Sequence, residues 1–396
     1  MGRRANGEGS VFKQADGRWV AEVSYRDELG KLRRRRVYGS TQTEARRKQR
    51  VVREALQRGT PIKPSTTSVA SWIETWINGS LAASDRRQST IDLYTAVARR
   101  HLVPDLGQRR LDHLRPSDIE ALVVAKRKAG LAPSTVRTIY TVLRAALDIA
   151  VRDGLMQSNP AVAVRRPSIG RREADFLTPT QARSLLDALE GERIEPVIRL
   201  LLATGLRRGE ALALHWADID LESRILRIRW TLTRTSVGLV LGEPKTDKSR
   251  RSVSLPGSAV DLLREHRSRQ ADERRRAGDT WVEQDFVFTT EIGTPLEPRN
   301  VLRRFGVVAR RAGLPGAHLH TLRHSAASFL LAAGVHIKVV QEHLGHSSFA
   351  ITADIYSHVT SEQSREAADH LDRAVDWSRR EDDGDTPPPP DGGLWR

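Results

Sequence analysis

The sequence contains no cysteine. That single absence excludes disulfides, thiolate zinc sites, iron–sulfur clusters and a cysteine nucleophile. No apolar run approaches the ~18 residues that a membrane-spanning helix needs. Behind Arg3 and Arg4 there is no apolar stretch, which argues against a secretory leader. No Walker-type glycine-lysine loop occurs, so nothing points to nucleotide hydrolysis, and no internal repeat is visible. Acidic residues are in deficit: 65 Lys and Arg face 49 Asp and Glu, for a net charge of +16 and a pI of about 10.8. A chain this basic works against a polyanion, nucleic acid first, although composition alone does not separate that from a ribosomal or membrane-surface role. Arginine outnumbers lysine, which suits phosphate recognition. The 396 residues, 39% of them apolar, are enough for two or three packed domains, and a mean hydropathy of −0.47 indicates a soluble chain.

The charge is unevenly spread. Residues 1–64 hold 17 Lys and Arg against 7 Asp and Glu. Within them Val11–Phe12 and Trp19–Tyr25 flank Asp16-Gly17, a hairpin signal. A third strand, Leu32–Tyr38, follows a turn at Glu28–Lys31 and carries Arg33, Arg34, Arg35 and Arg36. Thr41 and Glu44 form a capping box that opens a helix to about Arg58. A narrow sheet loaded with arginine fits a DNA major groove; a solvated basic edge strand would look the same. Thr60–Pro64 reads as a linker.

From Thr66 to Asp153 the periodicity is helical. Val69, Trp72, Ile73, Trp76 and Ile77 share a face, followed by Ile91–Leu102, then Ser117–Lys128 after Pro116 with a Ser117/Glu120 cap, then Ser134–Asp153. Four such helices make an all-α bundle with Trp72 and Trp76 in its core. Asn159–Pro167, with Arg165 and Arg166, reads as a second basic linker. Beyond it, Thr178-Pro179-Thr-Gln181 caps a helix, Pro196–Ala203 forms another ending at Gly205, and Ile225–Trp230, Val237–Leu241 and Val253–Leu255 supply strands. The remainder is mostly helical to about Trp377. Residues 378–396 are acidic and proline-rich and read as a disordered tail.

Four stretches could do chemistry. In Ala203-Thr-Gly-Leu-Arg-Arg-Gly-Glu-Ala-Leu-Ala-Leu214 an arginine, Arg207, sits in a turn between apolar helices with Glu210 one turn on. It could present its planar fork to a phosphate or simply cap a helix. Pro244-Lys-Thr-Asp-Lys-Ser-Arg-Arg251 is a basic hairpin whose lysine could donate a proton to a leaving oxygen, or be a solvated loop. His320 and Arg323 stand three apart at a helix start and can face one point. A last stretch runs from a helix end at Gly345 through His346 to Tyr356, just before a Thr360/Gln363 cap. A zinc site from His318, His320, His324, His343 and His346 is disfavoured, because no HExxH or HxH-with-carboxylate pattern accompanies them and arginines intervene. His343 alone reads as a capping or surface histidine.

Taken together, Arg207, Lys245, His320, Arg323, His346 and Tyr356 resemble the catalytic set of the tyrosine recombinases, the family of phage lambda integrase, Cre and the Xer recombinases. TGLRRGE (204–210), PKTDKSRR (244–251), HTLRH (320–324) and LGHSS (344–348), with Tyr356 ten residues past His346, keep the family's order and spacing. The resemblance covers roughly 66–376, and the basic N-terminus is similar to the arm-binding domain of phage-type integrases, which Xer proteins and Cre lack. It implies a small β-sheet-plus-helix arm-type DNA-binding domain (1–60), an all-α core-DNA-binding domain (66–165), a mixed α+β catalytic domain (173–377) and the tail (378–396).

The chemistry so implied is metal- and ATP-independent, with no cofactor. Tyr356 attacks the scissile phosphate, giving a 3′-phosphotyrosyl link and a free 5′-OH. Arg207 and Arg323 hold the non-bridging oxygens, Lys245 protonates the leaving oxygen with Lys248 as its rival, His320 is the general acid/base, His346 bonds a phosphate oxygen, and Glu210 supports Arg207. Arg33–Arg36, Arg165 and Arg166 are the expected DNA contacts. Implied partners are double-stranded DNA attachment sites, a homotetramer on DNA and an accessory DNA-bending or directionality factor, in the bacterial cytoplasm at the nucleoid and away from membranes. A chromosome-dimer resolvase, a type IB topoisomerase and a non-cutting DNA-binding regulator are the competing readings. The arm-like N-terminus, the LGHSS-to-Tyr spacing and the intact Arg207-to-Tyr356 set argue against them in turn.

Overall fold

In the computed structural model the described residues are 10–15, 17–26, 32–57, 67–170, 175–244 and 250–345. The chain divides into two units, Met1–Arg171 and Arg172–Arg396.

The first unit begins with an antiparallel sheet, β1 (Val11–Lys13), β2 (Trp19–Arg26) and β3 (Leu32–Gly39), in that order. Helix α1 (Gln42–Gln57) packs on β2 and β3. Its start is held by half of the expected capping box: Thr41 Oγ1 accepts from the Glu44 N–H at 3.2 Å, while the Glu44 carboxylate reaches one residue further back, to the Ser40 N–H at 2.8 Å. Cross-strand register pairs Glu22 with Arg36, Val23 with Arg35 and Ser24 with Arg34. Because successive strand residues point to opposite faces, the arginine run is split. Arg34 and Arg36 share an exposed face with Phe12 and Tyr38, whereas Arg35 lies on the covered face of Ala21 and Val23.

The helical part comprises α2 (Val69–Trp76), extended by a wider turn over Ile77–Leu81, then α3 (Gln88–Val97), continued to Leu102, the short α4 (Val103–Leu106), α5 (Pro116–Lys128) and α6 (Pro133–Arg152). Ser68 caps α2, and the apolar face read from the sequence is its core face, with Trp72 and Trp76 buried. The Trp72 indole donates to Ala146 O at 3.0 Å. Two expectations need correcting. Pro116 is itself the first helical residue of α5, since it lacks an N–H to satisfy. The cap therefore falls on Arg115, whose N–H donates to Asp118 at 2.9 Å, not on Ser117/Glu120. Nor is 159–164 a linker. Ala161 and Val164 are buried in the helical core, and the Tyr140 hydroxyl lies 2.7 Å and 3.1 Å from their carbonyl oxygens. Arg165 and Arg166, just beyond, are exposed.

The second unit opens with α7 (Pro179–Ala188) behind the expected Thr178/Gln181 box. Next come α8 (Glu195–Thr204) and the short α9 (Arg208–Ala211). Five strands follow, β4 (Ile219–Asp220), β5 (Ile225–Ile228), β6 (Thr231–Thr235), β7 (Gly238–Gly242) and β8 (Arg251–Ser254), and then α10 (Gly257–Ala277), α11 (Pro298–Arg311), α12 (Leu319–Ala332) and α13 (Ile337–Leu344). The basic stretch is not the tip of a β7–β8 hairpin: β7 pairs with β6 and β8 pairs with β5, and residues 245–249 lie outside the described residues. Pro244, just beyond β7, has no N–H to donate to a ladder. Leu200, Leu201, Leu226, Val253, Phe288, Phe305 and Leu322 belong to one buried core, on which α8 and α12 pack together.

Candidate active site

The site grows from three helix termini. Helix α8 stops at Gly205, which takes a left-handed φ of 64°, a conformation that glycine adopts without strain. A Cβ there would lie 2.3 Å from Leu344 Cδ2, so glycine also permits α8 and α13 to end against each other. Leu206 is buried, and Arg207 becomes the extended N-cap residue of α9. Its backbone N–H donates to Glu210 Oε2 at 3.1 Å and its Nη1 to Glu210 Oε1 at 2.6 Å. The Arg207–Glu210 pair therefore caps the start of α9.

Helix α12 supplies His320 and Arg323 one turn apart. Arg323 is 1% exposed. Its Nη1 donates to Gly205 O at 2.7 Å and its Nη2 to Leu344 O at 2.6 Å, so it ties the ends of α8 and α13 together. Burial pushes this guanidinium down to about 9, helped by the positive charge of Arg207, and it remains protonated at neutral pH. His320 is exposed on the whole, yet its ring is partly stripped of water. That loss, followed by repulsion from His324, Arg323, His318 and Arg207, pushes it down to about 4. A neutral imidazole at physiological pH can accept a proton. The His324 ring meets it edge-on at 4.7 Å.

The third end is that of α13, closed by Gly345 at φ 67°. Three successive carbonyls there each receive one guanidinium: His343 O from Arg251 Nε at 2.6 Å, Leu344 O from Arg323 at 2.6 Å, and Gly345 O from Arg207 Nη2 at 3.1 Å. Carbonyls at a helix C-terminus lack intrahelical donors and carry partial negative charge, so they gather cations. Arg251 also places Nη2 3.3 Å from Glu210 Oε2. Burial pushes the Glu210 carboxyl up, but Arg251 and Arg207 outweigh it and hold the pKa below the usual carboxylate value. Two guanidiniums therefore bond one carboxylate, and a third, Arg323, sits beside them on the helix-end carbonyls. The surplus matches the charge on a phosphodiester and the larger charge on its five-coordinate transition state.

Sequence reasoning missed Arg251. Its signal lay in strand alternation, because Arg251, Val253 and Leu255 occupy the inward positions of one run. His343, read as a capping or surface residue, is half-buried and hydrogen-bonded to the Thr204 backbone. Lys245, Lys248, His346 and Tyr356 lie outside the described residues, as do the turn at Glu28–Lys31, the Thr60–Pro64 linker, the Thr360/Gln363 cap and the tail. Among the described residues no three metal-ligating side chains are gathered.

Comparison with known proteins bears on the same residues. The model of the phage integrase family matches residues 175–363, a stretch running from before Arg207 to beyond Tyr356. An integrase of Streptomyces ambofaciens is 31% identical over 89% of this chain and 93% of its own. The chain belongs to the phage integrase family, the tyrosine recombinases. It is accordingly a DNA strand-transferring recombination enzyme. A tyrosine recombinase XerC-like protein of Caldanaerobacter subterraneus is 30% identical over 87% of the chain and 93% of its own length. The fold of lambda integrase, solved as a dimer bound to a core site, is similar with a TM-score of 0.59, covering 89% of this chain and 96% of that one at 17% identity. Like that integrase, this one is multidomain, with a small N-terminal sheet, a helical region and a mixed α and β region. Among its described residues no helix is long and apolar enough to cross a membrane.

Proposed function

We propose that this recombinase inserts and excises a phage or other mobile element, with Tyr356 as its nucleophile. The phenolic oxygen forms a bond to the scissile phosphorus and the bond to the 5′ oxygen breaks, leaving a 3′-phosphotyrosyl ester and a free 5′-OH. The ester conserves the bond energy, so a second 5′-OH can reverse the step without ATP. Arg207 and Arg323 hold the non-bridging oxygens, Lys245 gives its proton to the departing oxygen, His320 moves the tyrosine proton and His346 bonds a phosphate oxygen. The guanidiniums supply the positive charge a metal supplies elsewhere.

The observation that carries this reading is the arginine cluster around Glu210, with His320 one turn from Arg323. An N-terminal domain over 1–60 would bind arm-type sites through the exposed face bearing Arg34 and Arg36, with 66–165 and 173–377 each binding the core site and Arg165 and Arg166 contacting DNA as well. Lambda integrase has been solved as a tetramer on a Holliday junction. A homotetramer on attachment-site DNA, aided by a DNA-bending or directionality factor at the nucleoid, fits the present enzyme in the same way. Scoring recombinant junctions between two plasmid-borne segments taken from beside its gene tests the proposal. Junctions are expected from the wild type and none from Tyr356→Phe; junctions that persist in the variant would place the nucleophile elsewhere.

A further inference from the structure

Arg251 is the one member of the guanidinium cluster to which the reaction assigns no task. Its side chain is 7% exposed, so it is not a surface contact for DNA. It spans the two groups that hold Arg207. One is Glu210, whose Oε2 accepts from Arg251 at 3.3 Å while Oε1 accepts from Arg207 at 2.6 Å. The other is the end of α13, where His343 O takes Arg251 and Gly345 O takes Arg207. We propose that Arg251 is a positioning residue that aims Arg207 at the scissile phosphate, acting through Glu210 and the end of α13.

The charges agree with this geometry. Burial alone would favour a protonated Glu210, and it is opposed by the attraction of Arg251 and by the attraction and two hydrogen bonds of Arg207. A protonated or displaced Glu210 would free Arg207 to rotate away from the phosphate. The fork shape matters too. Nε and Nη2 point to different partners, and an ammonium cannot span both. In the strand, β8 pairs with β5 through Arg251 and Ile228, so the backbone carrying the guanidinium is fixed.

The inference rests on the proposed phosphate-holding role of Arg207, and the test separates the two. A methylphosphonate at the scissile position replaces one charged oxygen by an uncharged methyl group. Cleavage of that substrate no longer needs the guanidinium that neutralised the oxygen. Single-turnover cleavage of phosphate and methylphosphonate suicide substrates is compared for wild type, Arg207→Gln, Arg251→Gln and Arg251→Lys, using both methylphosphonate stereoisomers. The ratio of the two rates does not depend on how much of a variant is folded. Arg251→Gln is expected to lose about 100-fold on phosphate and to recover most of it on the methylphosphonate that rescues Arg207→Gln. Arg251→Lys should lose less and recover on the same stereoisomer, and it carries the test if the glutamine variant does not fold. Equal losses on both substrates by the Arg251 variants, with Arg207→Gln rescued, would overturn the inference and leave Arg251 merely structural. No loss on phosphate would overturn it too. Failure of Arg207→Gln to recover on either stereoisomer would remove the Arg207 role and the inference with it.

Discussion

At the scale of single residues, Glu210 is the fulcrum of the site. It is 3% exposed and shared by two arginines. Removing one partner from a buried ionic cluster leaves the others uncompensated, at a cost of about 3 kcal/mol. Glu210→Gln is therefore expected to lose about that much stability in urea unfolding. Its cleavage rate should fall about 100-fold, with DNA affinity much less affected. Equal losses of binding and cleavage would contradict the assignment. Arg207 and His320 were legible from sequence because each sits at a helix start, where local capping and the three-residue spacing are readable. What Arg207 touches was not, since Gly345 lies 138 residues away. Arg251 stayed hidden for the same reason, because its burial depends on β8 pairing with β5 across the intervening β6–β7 hairpin.

At the scale of elements, the decisive contact is the meeting of three helix ends. α8 ends at Gly205 and α13 at Gly345, and Arg323 from α12 donates to both ends. A side chain at 205 would be strained by the left-handed backbone, at about 1 kcal/mol, and would press on Leu344. Gly205→Ala is thus expected to cost about 2 kcal/mol or more in urea unfolding, counting the overpacking. It should slow cleavage by a larger factor than it weakens DNA binding, because Arg323 loses its alignment. An unchanged stability, or binding that falls as far as cleavage, would contradict this. Most helices were readable from periodicity and capping. The exceptions have physical causes: a proline moved the cap of α5 to Arg115, and the Tyr140 hydroxyl recruited 159–164 into the core from some twenty residues away. Neither the pairing of a tyrosine hydroxyl nor the partner of a strand has a local signature.

At the scale of the whole molecule, five of the described histidines, His101, His266, His320, His324 and His343, have pKa values lowered mainly by burial. The unfolded chain, with histidines near ~6.5, then binds more protons than the folded one, so stability rises with pH in that range. It should be complete above about 6.5 and lost as pH falls from there towards 4. Urea unfolding at pH 7.5, 6 and 5 is expected to show declining midpoints, and flat or rising midpoints would contradict it. The multidomain plan was legible because charge and periodicity change along the chain, whereas the split of Arg34–Arg36 between two faces needed the strand register. The central claim is that this arginine-rich cluster serves a tyrosine that links itself to DNA. The most direct measurement incubates purified protein with labelled DNA from beside its gene in EDTA and looks for an adduct that survives SDS, with Tyr356→Phe alongside. The account requires an adduct without metal that is absent from the variant; an adduct that persists in Tyr356→Phe, or retarded DNA with no adduct from either protein on nicked suicide substrates, would contradict it.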